Sequence, residues 1–328
     1  MRYKNIEKLD VEISELAVGT WAIGGQMWGE VNDQASVAAI REMIDQGVNL
    51  IDTAPIYADG HSEVVVGQAL KDGYREKVLV ATKFGVSYAP DGSVINNNTY
   101  ENVLAECQQS LERLGTDMID IYIIHWPDPN TPIAETMRAL NDLKAAGKIR
   151  FSGVSNFDQA GIEAAQEFGS IDFVQLPFSM VKEDDKSLLI WCEEQGIGTM
   201  TYGSLGSGIL TGAIRQKPDW SPDDVRLTFY DYYHEPKFSK IMKLLDYLDE
   251  LAEKYQKPLA QIALNWSTTQ HFVSTAITGV RNTEEAKENT NTFDWNLSED
   301  DLANINGVLA DLEISDGKSL SAAERKTK

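Results

Sequence analysis

Eight short apolar runs rich in Val and Ile recur along the chain, and stretches of helical periodicity lie between them. The runs are "ELAVGTW" (15–21), "VNLIDT" (48–53), "VLVATKF" (78–84), "IDIYIIHW" (119–126), "IRFSGVSN" (149–156), "FVQLPFS" (173–179), "IGTMTYGS" (197–204) and "STAITGV" (274–280). Apolar residues spaced three to four apart fill 34–47, 100–115, 133–147 and 188–196, which predicts amphipathic helices. These helices end in Gly47, Gly115, Gly147 and Gly196, suited to a left-handed cap, and the next apolar run follows at once. Strands apolar on both faces that alternate with helices imply a parallel sheet, since each crossover lays a helix over it.

Eight such units can close a ring. The competing arrangement, an open doubly wound sheet, usually carries G-x-G-x-x-G after its first strand. Here "LAVGTWAIGGQMWG" has glycines but not that spacing. The pattern favours an α/β fold of the (β/α)8 TIM-barrel type, with the 328 residues forming one domain. The interval after the seventh strand holds a long loop (205–236), read as a lid or binding loop, and then helices near 237–256 and 259–270. Extra helices follow the last strand, and 313–328 forms a polar tail, expected to be disordered or to fold over a site.

Charge and cysteine content narrow the function. A formal charge of −22 repels polyanions, so nucleic acid and anionic membranes are not expected partners, and any phosphate must be held by a local cluster. Cys107 and Cys192 give neither a disulfide framework nor metal-ligand spacing. The four histidines (His61, His125, His234, His271) show no H-x-H or H-E-x-x-H pattern, so no metal is expected. The charged start and the absence of any apolar run near the ~20 residues that span a bilayer fit a cytoplasmic protein.

In a barrel of this kind chemistry sits where strands give way to βα loops. Asp52 and Tyr57 follow the second run, Lys83 ends the third and His125 the fourth. A lysine at a buried strand end costs several kcal/mol unless a carboxylate is near, and Asp52 on the adjacent strand is the obvious partner.

With these residues in place, "NLIDTAPIYADGHSEVVVGQAL", "VLVATKFG", "IDIYIIHWPDP", "GKIRFSGVSNF", "YGSLGSGILTG" and "GVRNTEEAKEN" together resemble the aldo-keto reductases, in order and over nearly the whole chain. The resemblance implies a barrel oxidoreductase that reduces aldehydes and ketones, with Asp52, Tyr57, Lys83 and His125 as the catalytic set. Tyr57 would donate the proton, Lys83 would lower its pKa, Asp52 would hold Lys83, and His125 would orient the carbonyl.

The resemblance also implies a nicotinamide cofactor, with NADP(H) the first expectation and NAD(H) the alternative. Gly19, Thr20, Trp21 and Asp52 would lie by the nicotinamide and substrate; Ser155, Asn156 and Gln175 would bond the carboxamide, and Tyr202 would stack on the ring. Gly203, Ser204, Leu205, Gly206 and Gly208 would pass along the pyrophosphate. Gly279, Arg281, Glu285, Glu288 and Asn289 would border the adenosine, with Arg281 toward a 2′-phosphate and the acidic Glu285 favouring NAD(H). Trp21, Tyr57, His125 and Trp126 would wall the substrate pocket, and Phe229, Tyr230, Tyr232 or Tyr233 could add to it. The substrate would be a small carbonyl compound or a sugar, and a homo-oligomer is compatible. Two other readings are an NAD-linked sugar or polyol dehydrogenase, and a cofactor-binding sensor subunit like those attached to ion channels in that family.

Overall fold

Parallel strands with matched registers close into an eight-membered barrel in the computed structural model, which describes residues 1–24, 31–220, 227 and 230–315. The barrel strands are β1 (Leu16–Gly19), β2 (Leu50–Asp52), β3 (Leu79–Phe84), β4 (Ile119–Ile124), β5 (Ile149–Ser155), β6 (Phe173–Pro177), β7 (Gly198–Tyr202) and β8 (Thr275–Gly279). They follow chain order around the ring, which closes where Ala276–Gly279 pairs with Leu16–Gly19. The fold expected from the sequence is therefore the one observed.

The helices are α1 (Asp33–Asp45), α2 (His61–Ala69), α3 (Tyr100–Leu114), α4 (Ile133–Ala145), α5 (Gln159–Gln166), α6 (Lys186–Glu194), α7 (Lys237–Tyr255), α8 (Leu259–Thr268), α9 (Thr283–Thr290) and α10 (Glu299–Leu312). Gly47, Gly115, Gly147 and Gly196 all take positive φ just after their helices, which ends each helix and turns the chain toward the next strand. Helix α2 gives no amphipathic stripe because its polarity does not follow its burial: Ser62 and Glu63 are inside, while Val64 lies on the exposed face with His61 and Gln68.

Two apolar layers result. Outward residues such as Val80, Phe84, Tyr122, Val174 and Leu176 pack under the helices, while Ala17, Leu50, Ala81, Ile121, Ile123, Phe151, Phe173, Met200 and Ile277 fill the barrel. An antiparallel hairpin, Tyr3–Ile6 with Val11–Ser14, closes the end where the strands begin. Its Ile6, Val11 and Ile13 join the interior cluster. Gly198 makes room for it, since a Cβ there would stand 2.6 Å from both Ile6 Cδ1 and Phe173 Cε1. Lys4 staples the hairpin to the end of α8, donating to the carbonyls of Thr268, Gln270 and Val273 at 2.9, 2.7 and 2.6 Å.

At the opposite end the apolar runs outlast the hydrogen-bonded ladders. β1 stops at Gly19, and Trp21 already belongs to a single 3-10 turn, Trp21–Gly24; β4 stops at Ile124, leaving His125 and Trp126 in the loop. Within the long loop, Gly206–Thr211 and Asp231–Tyr233 form 3-10 turns. Tyr232 and Tyr233 are buried, and Tyr233 meets the Trp220 ring edge-on at 4.8 Å, so these two pack against the body. Phe229 and tail residues 316–328 lie outside the described residues. The tail's first part is docked: Ser315 Oγ donates to Asp184 and accepts from the Glu183 amide. Among the described residues no helix is long and apolar enough to cross a membrane, and no group of three His, Cys, Asp or Glu could hold a metal ion. Cys107 and Cys192 are buried, and burial pushes their thiols up to about 11 and about 12.

Candidate active site

Strand parity explains where the site lies. Side chains alternate faces along a strand, so each residue two positions beyond an interior apolar residue also points inward. Two residues past Ala17, Leu50, Ala81, Ile123, Gly153, Phe173, Met200 and Ile277 stand Gly19, Asp52, Lys83, His125, Ser155, Gln175, Tyr202 and Gly279. These eight are the uppermost inward positions at the strand exits, polar or small where the positions below are mostly apolar.

Lys83 sits at the centre and is fully buried. Its Nζ donates to Asp52 Oδ1 and Oδ2, both at 2.9 Å, to the Thr53 carbonyl at 2.9 Å and to the Tyr57 hydroxyl at 3.2 Å. Gln175 Nε2 donates to Asp52 Oδ1 at 2.8 Å. Burial opposes the charge on Lys83, but Asp52 and Tyr57 outweigh it and hold the ammonium above its ordinary value.

Tyr57 reaches this cluster from a loop, not from a strand. Ala58, Asp59 and Gly60 take left-handed φ of 51°, 50° and 86°, which folds the β2–α2 connection back over the barrel. The Tyr57 ring stacks on Trp21 at 6.2 Å and meets His125 edge-on at 6.1 Å. Lys83 pulls the Tyr57 pKa down, as expected, but burial outweighs it and Asp52 adds to the rise, so the hydroxyl is held above its ordinary value. Burial and the nearby Lys83 charge drive His125 well below the ordinary histidine value, so its imidazole is neutral.

Asn156, in a left-handed conformation (φ 63°), joins three strand exits. Its Nδ2 donates to the His125 carbonyl at 3.1 Å and to Ser155 Oγ at 3.0 Å, and its Oδ1 accepts from the Tyr202 hydroxyl at 2.8 Å. The cap of α5 is supplied by Asp158. Thr20 is turned toward α2 instead of toward the mouth: its hydroxyl donates to the Asp52 carbonyl at 3.0 Å and accepts from Ser62. Ser204 is also buried, its hydroxyl directed at the Ile277 carbonyl.

Beyond Tyr202 the chain takes left-handed φ at Gly203, Gly206, Ser207 and Gly208. Tyr230 binds this turn through a hydrogen bond with Ser207, lies within electrostatic reach of Tyr57 and stacks on Tyr232 at 5.5 Å. Burial pushes its hydroxyl up to about 12. Among the described residues of the long loop, Tyr230 is thus an aromatic that reaches the Asp52–Lys83–Tyr57 cluster. Ser207 and the Thr53 carbonyl escaped sequence reasoning, because a left-handed serine and a backbone acceptor leave no residue-type signal.

At the far side, Asn282 caps α9 by accepting from the Glu285 amide at 2.9 Å. Arg281 turns back onto Glu285: Nη2 donates to Oε1 at 2.8 Å, Nε to Oε1 at 3.2 Å, and the Arg281 amide to Oε2 at 2.9 Å. Asn289 Nδ2 donates to the Gly279 carbonyl at 3.3 Å, and Glu288 is exposed.

Residues 15–310 match the profile of the Aldo/keto reductase family. An NADH-specific methylglyoxal reductase of Escherichia coli (strain K12) is 36% identical over 319 residues, 93% of this chain and 97% of that protein. The solved structure of a glycerol dehydrogenase from Gluconobacter oxydans superposes with a TM-score of 0.86 at 34% identity, covering 95% of this chain and 96% of that one. An aldo/keto reductase from Klebsiella pneumoniae in complex with NADP and acetate superposes with a TM-score of 0.71 at 28% identity, covering 92% of this chain and 93% of that one.

Proposed function

The chain belongs to the Aldo/keto reductase family, whose members are NAD(P)H-dependent oxidoreductases, and from that premise we propose that it reduces a small aldehyde or ketone to the alcohol with Tyr57 as proton donor. One observation carries the reading: a buried ammonium, Lys83, bonds both oxygens of Asp52 and the Tyr57 hydroxyl at once.

The residues present fit a nicotinamide dinucleotide. A Cβ built on Gly203, Gly208 or Gly279 would meet no described non-neighbouring atom within 4 Å, so space is open beside the Tyr202–Gly208 turn and at the β8 exit. Trp21, Ser155, Asn156, Gln175 and Tyr202 would border the nicotinamide, and residues 203–208 the pyrophosphate. When bound, the cofactor supplies the hydride that reaches the carbonyl carbon.

The protein's part is to manage the charge this leaves on oxygen. Tyr57 stays protonated at neutral pH because its pKa is raised, and it gives its proton to the developing alkoxide. The phenolate that forms lies 3.2 Å from a charged Lys83, which stabilises it as the proton leaves. Neutral His125, edge-on to Tyr57, frames the same oxygen position from the other side. The rings of Trp21, stacked on Tyr57, and Tyr230, within electrostatic reach of it, would give the mouth aromatic walls suited to stacking on the apolar face of a small or sugar-like carbonyl compound, with Trp126 expected to join them. The names of the two relatives, a methylglyoxal reductase and a glycerol dehydrogenase, support a short polar substrate. In this reading the chain is one functional unit, and the 205–236 segment borders the mouth through Tyr230.

The test is Tyr57→Phe, with cofactor binding followed by tryptophan fluorescence and turnover measured on methylglyoxal. Cofactor affinity should stay within about threefold while kcat falls by about 1000-fold or more. Near-normal turnover would overturn the mechanism.

A further inference from the structure

Arg281 is the side chain expected to meet a 2′-phosphate, yet it is already engaged. Both oxygens of Glu285 are used, Oε1 by the guanidinium through Nη2 and Nε, Oε2 by the Arg281 amide. The carboxylate thus takes the donors, side chain and backbone together, that a phosphate at this place would seek. Glu284 adjoins it in the first turn of α9, and Glu288 is exposed one turn on.

We infer that Glu285 is the specificity-determining residue of the adenosine end, and that its contest with the 2′-phosphate for Arg281 lets the protein use NAD(H) alongside NADP(H). This rests on the oxidoreductase reading above and deepens it. Two physical effects act together. A 2′-phosphate must share Arg281 with Glu285 or displace it, and either way it faces a like charge at short range, which offsets part of the new charge-assisted bond. A ribose 2′-hydroxyl instead has a donor that a carboxylate accepts, the pairing by which an acidic residue reads NAD in doubly wound dinucleotide folds. The pair is half-exposed, and exposed ion pairs are weak, so the phosphate is handicapped without being barred. The acidic surface adds in the same direction, since a charge of −22 favours the less anionic cofactor.

The test is a binding titration without substrate, following tryptophan fluorescence, of NADPH and NADH on the intact protein and on Glu285→Gln. The intact protein should bind the two within about tenfold of each other, about 1.4 kcal/mol. Glu285→Gln should free Arg281 and tighten NADPH by about tenfold while moving NADH by less than about threefold. A preference for NADPH above about 100-fold in the intact protein, or an unchanged ratio in Glu285→Gln, would overturn the inference and leave the oxidoreductase reading intact. Absence of saturable binding of either cofactor would overturn both, so the two failures are told apart.

Discussion

Gln175 and Asp52 stand 123 residues apart in the chain, and Gln175 Nε2 donates to Asp52 Oδ1 at 2.8 Å. With Lys83 bonded to both Asp52 oxygens, the amide fixes the plane of the carboxylate and so the position of the ammonium beneath Tyr57. Gln175 therefore acts on Lys83 through Asp52, and in the proposed function it also faces the cofactor groove. Replacing it with Leu removes a hydrogen bond to a charged group, worth roughly 1.5–3 kcal/mol. We expect kcat to fall by about tenfold or more, with cofactor affinity changed less; steady-state kinetics beside a cofactor titration check the split. Weaker cofactor binding at unchanged kcat would assign Gln175 to the cofactor alone.

Lys83→Met should leave the Asp52 charge buried without its ammonium. Breaking one side of a buried pair costs about 3–5 kcal/mol, and the phenolate loses its stabilising charge as well. The double variant Lys83→Met with Asp52→Asn should recover much of that stability and none of the turnover. Urea unfolding of Lys83→Met, Asp52→Asn and the double variant against the intact protein measures the coupling; additive losses would mean that the pair is energetically inert.

The pH dependence follows from the two shifted groups. Tyr57 must be protonated to donate, and its pKa is raised, so the reductive rate should hold through neutral pH and fall only in the alkaline range. His125 is lowered, so it should add no inflection between about pH 6 and about pH 8. Oxidation of an alcohol needs the phenolate and should rise with pH over the range where reduction declines. A reductive profile with an acid-side step near the ordinary histidine value would contradict a neutral His125.

Gly198→Ala tests the barrel floor. The new methyl would stand 2.6 Å from Ile6 Cδ1 and from the Phe173 ring, so the hairpin must shift. Overpacking of this sort costs about 1–3 kcal/mol. Thermal unfolding should show the loss while KM stays near its original value, since the site is at the other end.

The barrel was legible because alternation of apolar runs and amphipathic helices is a direct consequence of burying both faces of a parallel sheet. The Asp52–Lys83 pair was legible for a related reason: a lysine closing "VLVATKF" needs a carboxylate, and the adjacent strand offered one. Less legible was anything set by competition among neighbours. That the net shift of Tyr57 is upward although Lys83 pulls it down depends on how far burial outweighs the lysine, which residue types do not reveal. The turn of Thr20 toward α2 depends on its bonds to the Asp52 carbonyl and Ser62, and the engagement of Arg281 by Glu285 depends on side-chain direction. Helix α2 gave no periodic signal because it buries Ser62 and Glu63 and exposes Val64, against the usual pattern.

The hairpin that seals the strand-beginning end has a further effect. Among the described residues, Ile6, Val11 and Ile13 with the apolar interior layer separate the Asp52–Lys83–Tyr57 cluster from the solvent below. Among the described residues the cluster is thus closed from that side and approached from the strand exits. Whatever covers those exits lowers the dielectric around the lysine from above while the floor already does so from below, and the same bonds then carry more energy. A cluster held together in the open protein would thereby become most effective at the moment a ligand stops the mouth.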